Sequence, residues 1–466
     1  MNHYRLLING KLTSTTDSFA VVNPASGEVF AQAPECSEQQ LDQAVGSAQQ
    51  AFPQWGQDHN KRKAALMDMA NAIQQQSKKI AEVLTLEQGK PLKHATREVM
   101  ASALQIQFAA NTELPLEVLQ DTDDGRIELH HKPYGVVAAI TPWNFPVSIA
   151  MGKVATALIA GNTVVLKPSP YTPLSTLLVG EAIQSALPPG VLNIISGSDP
   201  LGACLTIHPL VRKIDFTGSV NTGKQVARAA SDDLKRVTLE LGGNDAAIVL
   251  EDVQPKEIAN KLFWGAFTNS GQVCIAIKRA YVHESIYPQL VSELSLLAKK
   301  YPVGDGMNEQ TALGPINNQA QFERVSSLVE DAKQHGAKIE TGGAPTGQGF
   351  GYQSTIMTEV NDEMSIVCEE QFGPVLPILT YTDLDDAIAR ANHTHFGLGG
   401  SVWSPNLERA SDVARRLQCG TAWVNQHLAL SPVAPFGGSK WSGIGYINGR
   451  WGYEGATELQ VVNIKR

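Results

Sequence analysis

Cysteine is scarce and scattered. The 466 residues hold five, Cys36, Cys204, Cys274, Cys368 and Cys419, an odd number with no Cys-x-x-Cys pair. That pattern excludes a disulfide framework and a thiolate zinc cage, and it fits a reducing compartment in which a thiol stays free. Basic clusters longer than a triplet are also missing, and the net charge is −9. Such a chain lacks the cationic face that a nucleic-acid partner requires. Long apolar runs are absent too: the most apolar stretch, residues 147–166, is interrupted by Gly152, Lys153, Gly161 and Asn162. It therefore does not read as a membrane span. The start, Met1 to Gly10, has no basic region followed by an apolar one, so no secretory signal is expected and the cytoplasm is the expected location. The close histidine pairs, His130-His131 and His393-x-His395, stand without cysteines or acids at ligand spacing, so no metal is expected. No repeat or low-complexity tract appears.

What is present is enough chain for two or three domains. Leu41, Ala44, Val45, Ala48 and Phe52 recur at helical spacing, and residues 38–110 read as helices. From Gly135 the rhythm changes. Residues 135–140, 163–166, 191–195 and 213–217 read as short apolar strands, separated by helices ending near Ala160 and Ala186 and by helices near 201–206 and 221–230. Alternation of this kind predicts βαβ units and a mostly parallel sheet covered on both faces. A second α/β pattern runs from Ala246 to about residue 440, with helices near 285–300 and 318–335, a strand at 375–379 and a loop at 342–351. In such sheets ligands bind at the carboxyl ends of the strands.

Two residues suit covalent catalysis, one of which, Glu240, stands at such a strand end. Cys274 follows Thr268-Asn-Ser-Gly-Gln-Val, and Glu240 opens Glu240-Leu-Gly-Gly-Asn-Asp245. A thiolate can attack a carbon electrophile, and a carboxylate can activate the water that releases the product. Taken alone, a cysteine is more often a small buried hydrophobe and a glutamate a solvated charge.

The loops around them settle the comparison. Pro142-Trp-Asn-Phe-Pro146, Lys167-Pro-Ser169, Phe216-Thr-Gly-Ser219, Glu240-Leu-Gly-Gly243, Gly271-Gln-Val-Cys274, Glu369-Glu-Gln-Phe-Gly-Pro374 and Pro435-Phe-Gly-Gly438 stand in the order of the aldehyde dehydrogenase superfamily, which the whole chain resembles. The resemblance implies a doubly wound Rossmann-like cofactor domain (1–112 and 133–242), an α/β catalytic domain (243–440) and a small β oligomerisation element (113–132 and 453–466). It makes Cys274 the nucleophile, Glu240 the general base for hydrolysis, and the Asn144 amide with the Cys274 N–H the oxyanion donors. From the residues alone, Asn144 is equally a turn former. The resemblance further implies cofactor contacts from Thr141, Pro142, Trp143, Lys167, Ser169, Gly218, Ser219, Gly223, Leu241, Glu370 and Phe372.

Family members that grip the adenosine ribose carry a Glu three residues after the Lys of this loop; here Pro170 stands there. The expected cofactor is NAD, with NADP use left open, because no Arg or second Lys flanks the loop to hold a 2′-phosphate. Around the nucleophile, Gly152, Val273, Ile275 and Phe436 would form the substrate pocket. A Gly at 152, where relatives often place Trp or Arg, leaves room and offers no cation for a substrate carboxylate; equally, it serves helix packing alone. The expectation is an uncharged aliphatic or aromatic aldehyde, against a charged semialdehyde. The alternating tail Thr457–Lys465 either pairs within the chain or joins another subunit's sheet, and a homodimer or homotetramer is expected. Two rival readings remain on these residues: a cofactor-independent thiol esterase and a non-enzymatic scaffold.

Overall fold

The computed structural model describes residues 4–466, and within them the chain forms two large sheets and two small ones. The first large sheet has eight strands. Its five central strands, Arg236–Glu240, Val211–Thr217, Val136–Ile140, Thr163–Lys167 and Leu192–Ile194, run parallel in that order. Antiparallel strands flank them: Gly443–Ile444 on one side, Leu6–Ile8 and Lys11–Thr13 on the other. Val136 to Ala139 and Thr163 to Lys167 are buried throughout, as unbroken apolar strands covered on both faces must be.

Strand order fixes the position of the crevice. From Val136–Ile140 the chain steps outward through 163–167 and 192–194, then returns to lay 211–217 and 236–240 on the other side. The reversal lies between Val136–Ile140 and Val211–Thr217, which pair in parallel as far as Ile140 and Phe216. The loops leaving their carboxyl ends diverge at this point and open a crevice.

The second large sheet has seven strands, in the order 338–341, 355–358, 375–381, 277–283, 245–249, 399–403 and 421–424. All neighbours run parallel except the first pair. Its central strand Ile277–His283 escapes a reading of apolar periodicity because Lys278-Arg279 sits within it. Both cations are buried and are met by carbonyls. Lys278 donates to Val273 and Cys274, and Arg279 to Asn244 and Ala391. Buried charges persist where they are hydrogen-bonded in this way.

Four helices, Glu38–Trp55, His59–Gln75, Ser77–Gln88 and Leu92–Ala110, fill residues 38–110. The first carries a capping box between Ser37 and Gln40. The hairpin of Asp17–Asn23 with Glu28–Glu35 has no counterpart in the sequence reading. The tail resolves its two alternatives toward internal pairing: Thr457–Lys465 runs antiparallel to Gly125–Pro133, from Thr457 opposite Pro133 to Lys465 opposite Gly125. Glu117–Thr122 completes that three-stranded sheet. Leu459, Val461 and Ile464 remain exposed on the tail. Among the described residues no helix is long and apolar enough to cross a membrane.

Candidate active site

A cavity of about 1340 Å³ opens at the crevice, walled by both large sheets. Pro142, Trp143 and Asn144 line it from the loop after Ile140, and Gly218 and Ser219 from the loop after Thr217. Leu241, Gly242, Cys274, Glu370 and Phe372 complete the portion that the sequence singled out. Residues separated by more than 200 positions thus share one space.

Cys274 sits after a strained turn. Asn269, Ser270 and Gly271 are three successive residues in the left-handed region, with φ of 51°, 55° and 73°. Such backbone is costly for non-glycine residues and persists where surroundings over-determine it. Buried hydrogen bonds do so here. Asn269 Nδ2 donates to the Asn144 carbonyl at 3.1 Å, and Ser270 Oγ to the Gly314 carbonyl at 2.6 Å. Gly271 is required twice, by its φ and because a Cβ there would strike the Gly373 carbonyl oxygen. Burial pushes the Cys274 thiol up to about 12; Lys278 opposes that rise, while Glu370, Glu240 and Asp245 add to it. Val273, Ile275 and Phe436 belong with Ala276, Leu398 and Trp423 to one buried apolar cluster, against which Cys274 and Phe145 pack.

Asn144 is buried at 3 % exposure and anchored on every side but one. Its Nδ2 donates to the Gln272 carbonyl at 2.9 Å, using one of its two hydrogens. Its Oδ1 has no partner. Its own carbonyl accepts from Asn269 and from Lys90 Nζ at 2.8 Å. Lys90 pairs with Glu98 at 2.5 Å and lies 3.9 Å over the Phe145 ring. Glu98 accepts from the backbone N–H groups of Val147 (3.1 Å) and Ser148 (3.2 Å), capping the helix Pro146–Ile159. The Asn144 loop and the helix it starts are therefore held by one buried ion pair.

Glu240 is the last residue of the strand Arg236–Glu240 and is buried with neither carboxylate oxygen hydrogen-bonded. Burial raises its pKa well above the ordinary carboxylate value, Lys153 pulls it down and Asp215 pushes it up. Lys153 and Asp215 themselves form a buried pair. Gly242 and Gly243 follow Glu240, and neither has a positive φ. Their role is close approach. A Cβ on Gly242 would collide with the Glu370 carboxylate, and one on Gly243 would stand 2.7 Å from the Cys274 carbonyl oxygen. Glu370 accepts from the Gly243 N–H at 3.0 Å and lies 3.6 Å from Lys278 Nζ.

The remaining sequence-selected residues divide into two groups. The Phe372 and Trp143 rings meet edge to face, 5.3 Å between centroids. Ser219 caps the helix Val220–Ser231 by accepting from the Thr222 N–H, and Gly223 lets that helix settle on Leu241. Thr141, Lys167, Ser169 and Gly223 are buried and are not among the residues lining the large cavity. Thr141 Oγ1 has no partner. Lys167 Nζ donates to the Pro168 carbonyl at 3.4 Å, and burial lowers its pKa to about 8. Gly152 also stands outside the large cavity. A Cβ there would stand 3.6 Å from the Gln105 amide, and both residues line a small separate cavity whose walls include Phe108, Thr156 and Tyr453.

Structure adds residues that the sequence did not mark: Lys90, Glu98, Asn269, Gln272, Lys278 and His427. The His427 ring is fully buried, donates from Nε2 to the Ile275 carbonyl at 2.7 Å, and has Asp245 at 3.8 Å. Burial depresses its pKa to about 3. The only sequence signal was a charge inside an apolar run, as at Lys278.

Two features fit a dinucleotide. The start of the helix Val220–Ser231 presents N–H groups to the cavity beside small residues, as a pyrophosphate requires. The Glu370 carboxylate lines the same cavity and can accept from ribose hydroxyls.

Residues 12–462 match the family model described as the aldehyde dehydrogenase family. Retinaldehyde dehydrogenase 3 of Homo sapiens is 40% identical over 458 residues, 96% of this chain and 90% of that protein. The structure of an aldehyde dehydrogenase from Bacillus cereus in complex with NAD+ superposes with a TM-score of 0.97 at 35% identity, covering 100% of this chain and 97% of that one. An NADP-dependent enzyme from E. coli superposes with a TM-score of 0.97 at 33% identity, covering 100% and 98%.

Proposed function

The chain belongs to the aldehyde dehydrogenase family and is an NAD(P)-dependent oxidoreductase of aldehydes, and on that premise we propose that it makes a carboxylic acid from an uncharged aldehyde through a thioester on Cys274. The observation that carries the reading is that Cys274 and Asn144, whose amide keeps an unused N–H, line one cavity, while Glu240, a buried carboxylate with no hydrogen bond among the described residues, ends the strand whose next residue, Leu241, lines that cavity.

Cys274, as thiolate, attacks the aldehyde carbon and forms a thiohemiacetal. Its oxyanion takes hydrogen bonds from the second Nδ2 hydrogen of Asn144 and from the Cys274 N–H. Donors fixed in advance and shielded from water act here at full strength. NAD or NADP, when bound, supplies the hydride acceptor. Trp143, Gly218, Ser219, Leu241, Glu370 and Phe372 would hold it along the cavity, with Thr141, Pro142, Lys167, Ser169 and Gly223 shaping the loops beneath. Loss of hydride leaves an acyl thioester on Cys274. Glu240 then takes a proton from water, hydroxide adds to the thioester, and the thiolate departs as the acid is released. An unpaired carboxylate held in an apolar site is a stronger base than one in water.

The substrate reading rests on the surroundings of Cys274. Val273, Ile275 and Phe436 make them apolar, and the one Arg or Lys among the described residues lining the cavity, Arg324, is paired with Glu369. The relative named for retinaldehyde points the same way. Gly152 lines the separate small cavity beside Gln105 and brings no charge. NAD is the preferred cofactor, with NADP accepted, since Pro170 offers neither a ribose acceptor nor repulsion toward a 2′-phosphate. The exposed edge of Thr457–Lys465 is the proposed contact for a dimer or tetramer, because an unpaired apolar edge recruits another strand.

A panel of neutral aldehydes and succinate semialdehyde, read as NADH and NADPH formation, tests the proposal. The highest kcat/KM is expected for a neutral aldehyde with NAD. A preference for the semialdehyde removes the substrate assignment, and a strong NADP preference removes the cofactor order.

A further inference from the structure

We infer that Lys278 is a positioning residue whose positive charge, delivered through the main chain of the nucleophile turn, sets the reactivity of Cys274. The inference rests on the reading of Cys274 as the nucleophile.

Three contacts of one ammonium carry it. Lys278 Nζ donates to the carbonyls of Val273 at 2.9 Å and Cys274 at 2.8 Å, so it grips the main chain on both sides of the nucleophile's peptide. It stands 3.6 Å from Glu370, the acid placed to meet a cofactor ribose. Its side chain is 3 % exposed, so water does little to screen its field. The Phe372 ring lies 5.9 Å away. Carbonyls turned toward an ammonium cannot oppose a thiolate as free carbonyls would, and the ammonium itself favours the anion.

The charges that face Cys274 make this cation decisive. Lys278 stands on the strand Ile277–His283, which directly follows the turn holding Cys274. Glu370 comes from the segment after the short helix Ser365–Cys368, Glu240 from the end of its strand, and Asp245 from the start of the next. Three acids thus oppose ionisation and one base promotes it. The neighbouring His427 ring is held neutral and bonds only to the Ile275 carbonyl. With three acids nearby, loss of the single ammonium leaves the thiolate without a counter-charge.

Cofactor-free enzyme, treated with iodoacetamide over a range of pH, tests this. Labelling of the Cys274 peptide is followed by mass spectrometry alongside residual dehydrogenase activity. Lys278→Gln keeps a donor for the carbonyls and removes the charge; Lys278→Arg keeps the charge. The Gln variant is expected to shift the alkylation profile upward by about one pH unit, so that labelling slows about tenfold below the transition. The Arg variant is expected to recover most of the rate. A Gln variant with the wild-type profile, or an Arg variant as slow as Gln, overturns the inference. Should the Gln variant not fold, Lys278→Met, an uncharged side chain of similar volume, serves with the same labelling, and a wild-type profile overturns the inference. If alkylated Cys274 retains turnover, the catalytic reading itself falls. If alkylation abolishes turnover with a Lys278-independent profile, only the role of Lys278 falls.

Discussion

Replacing Lys90 by Met should damage both stability and catalysis, because one buried ammonium supports both. In the native fold it is 2 % exposed, pairs with Glu98 at 2.5 Å and donates to the Asn144 carbonyl at 2.8 Å. Methionine fills a similar volume but strands the Glu98 carboxylate, itself 3 % exposed, on two backbone donors. Breaking one side of a buried pair costs about 3–5 kcal/mol. In a cooperative unit of this size each kcal/mol moves the melting temperature by about 2–4 °C, so a fall of roughly 10 °C is expected. The partner change Glu98→Gln should relieve much of it, since the double variant leaves no stranded charge. In the surviving protein, kcat should drop because the Asn144 loop loses an anchor. Thermal melts of the four proteins of this cycle, with kcat for each, make the assay. If Lys90→Met melts within about 2 °C of wild type, or if the two changes prove additive, the pair is not the support described here.

Two further expectations follow from the same geometry. Asn144→Ala removes a fixed donor to the oxyanion and should lower kcat about 100- to 1000-fold with little change in KM; single-turnover NADH formation checks this, and a loss under tenfold would contradict the role. Glu240 is neutral when folded over a range where it would ionise if unfolded, since its pKa is raised well above 4.5. The folded state therefore binds the extra proton in that range, and stability is full below pH 4.5 and declines as pH rises toward the folded value. Glu240→Gln should melt like wild type in acid and increasingly above it toward neutral pH; equal melting temperatures at both pH values would refute the burial penalty.

The parts of the site that lie on strand-end loops were legible because the βαβ rhythm locates those ends. Cys274, Asn144, Glu370 and Phe372 stand beside turn-forming residues and line one cavity, and Glu240 ends the strand whose next residue, Leu241, lines it too. What supports them was not legible. Lys90 and Asn144 are 54 positions apart and Glu98 and Val147 are 49 apart, and no local pattern shows that a charge on one helix will cap another. Lys278 and Arg279 hid a central strand because buried cations look like surface ones until their carbonyl partners are known. The close approach that requires Gly242 and Gly243 was not legible either, because the Glu370 and Cys274 groups that crowd them arrive from distant segments. Gly152 was assigned to the pocket from the position where relatives often place Trp or Arg, with helix packing as the equal alternative, and in the structure it lies against Gln105 beside a separate small cavity. The tail's choice of Gly125–Pro133 as partner needed the three-dimensional register.

Glu240→Gln, mixed with cofactor and saturating aldehyde in a stopped-flow instrument, tests the central claim most directly. The account predicts a rapid burst of about one NADH per active site followed by turnover slowed at least about 100-fold, because acylation survives and water is no longer activated. A variant that turns over at the wild-type rate, or that gives no burst while Cys274 remains intact, would contradict it.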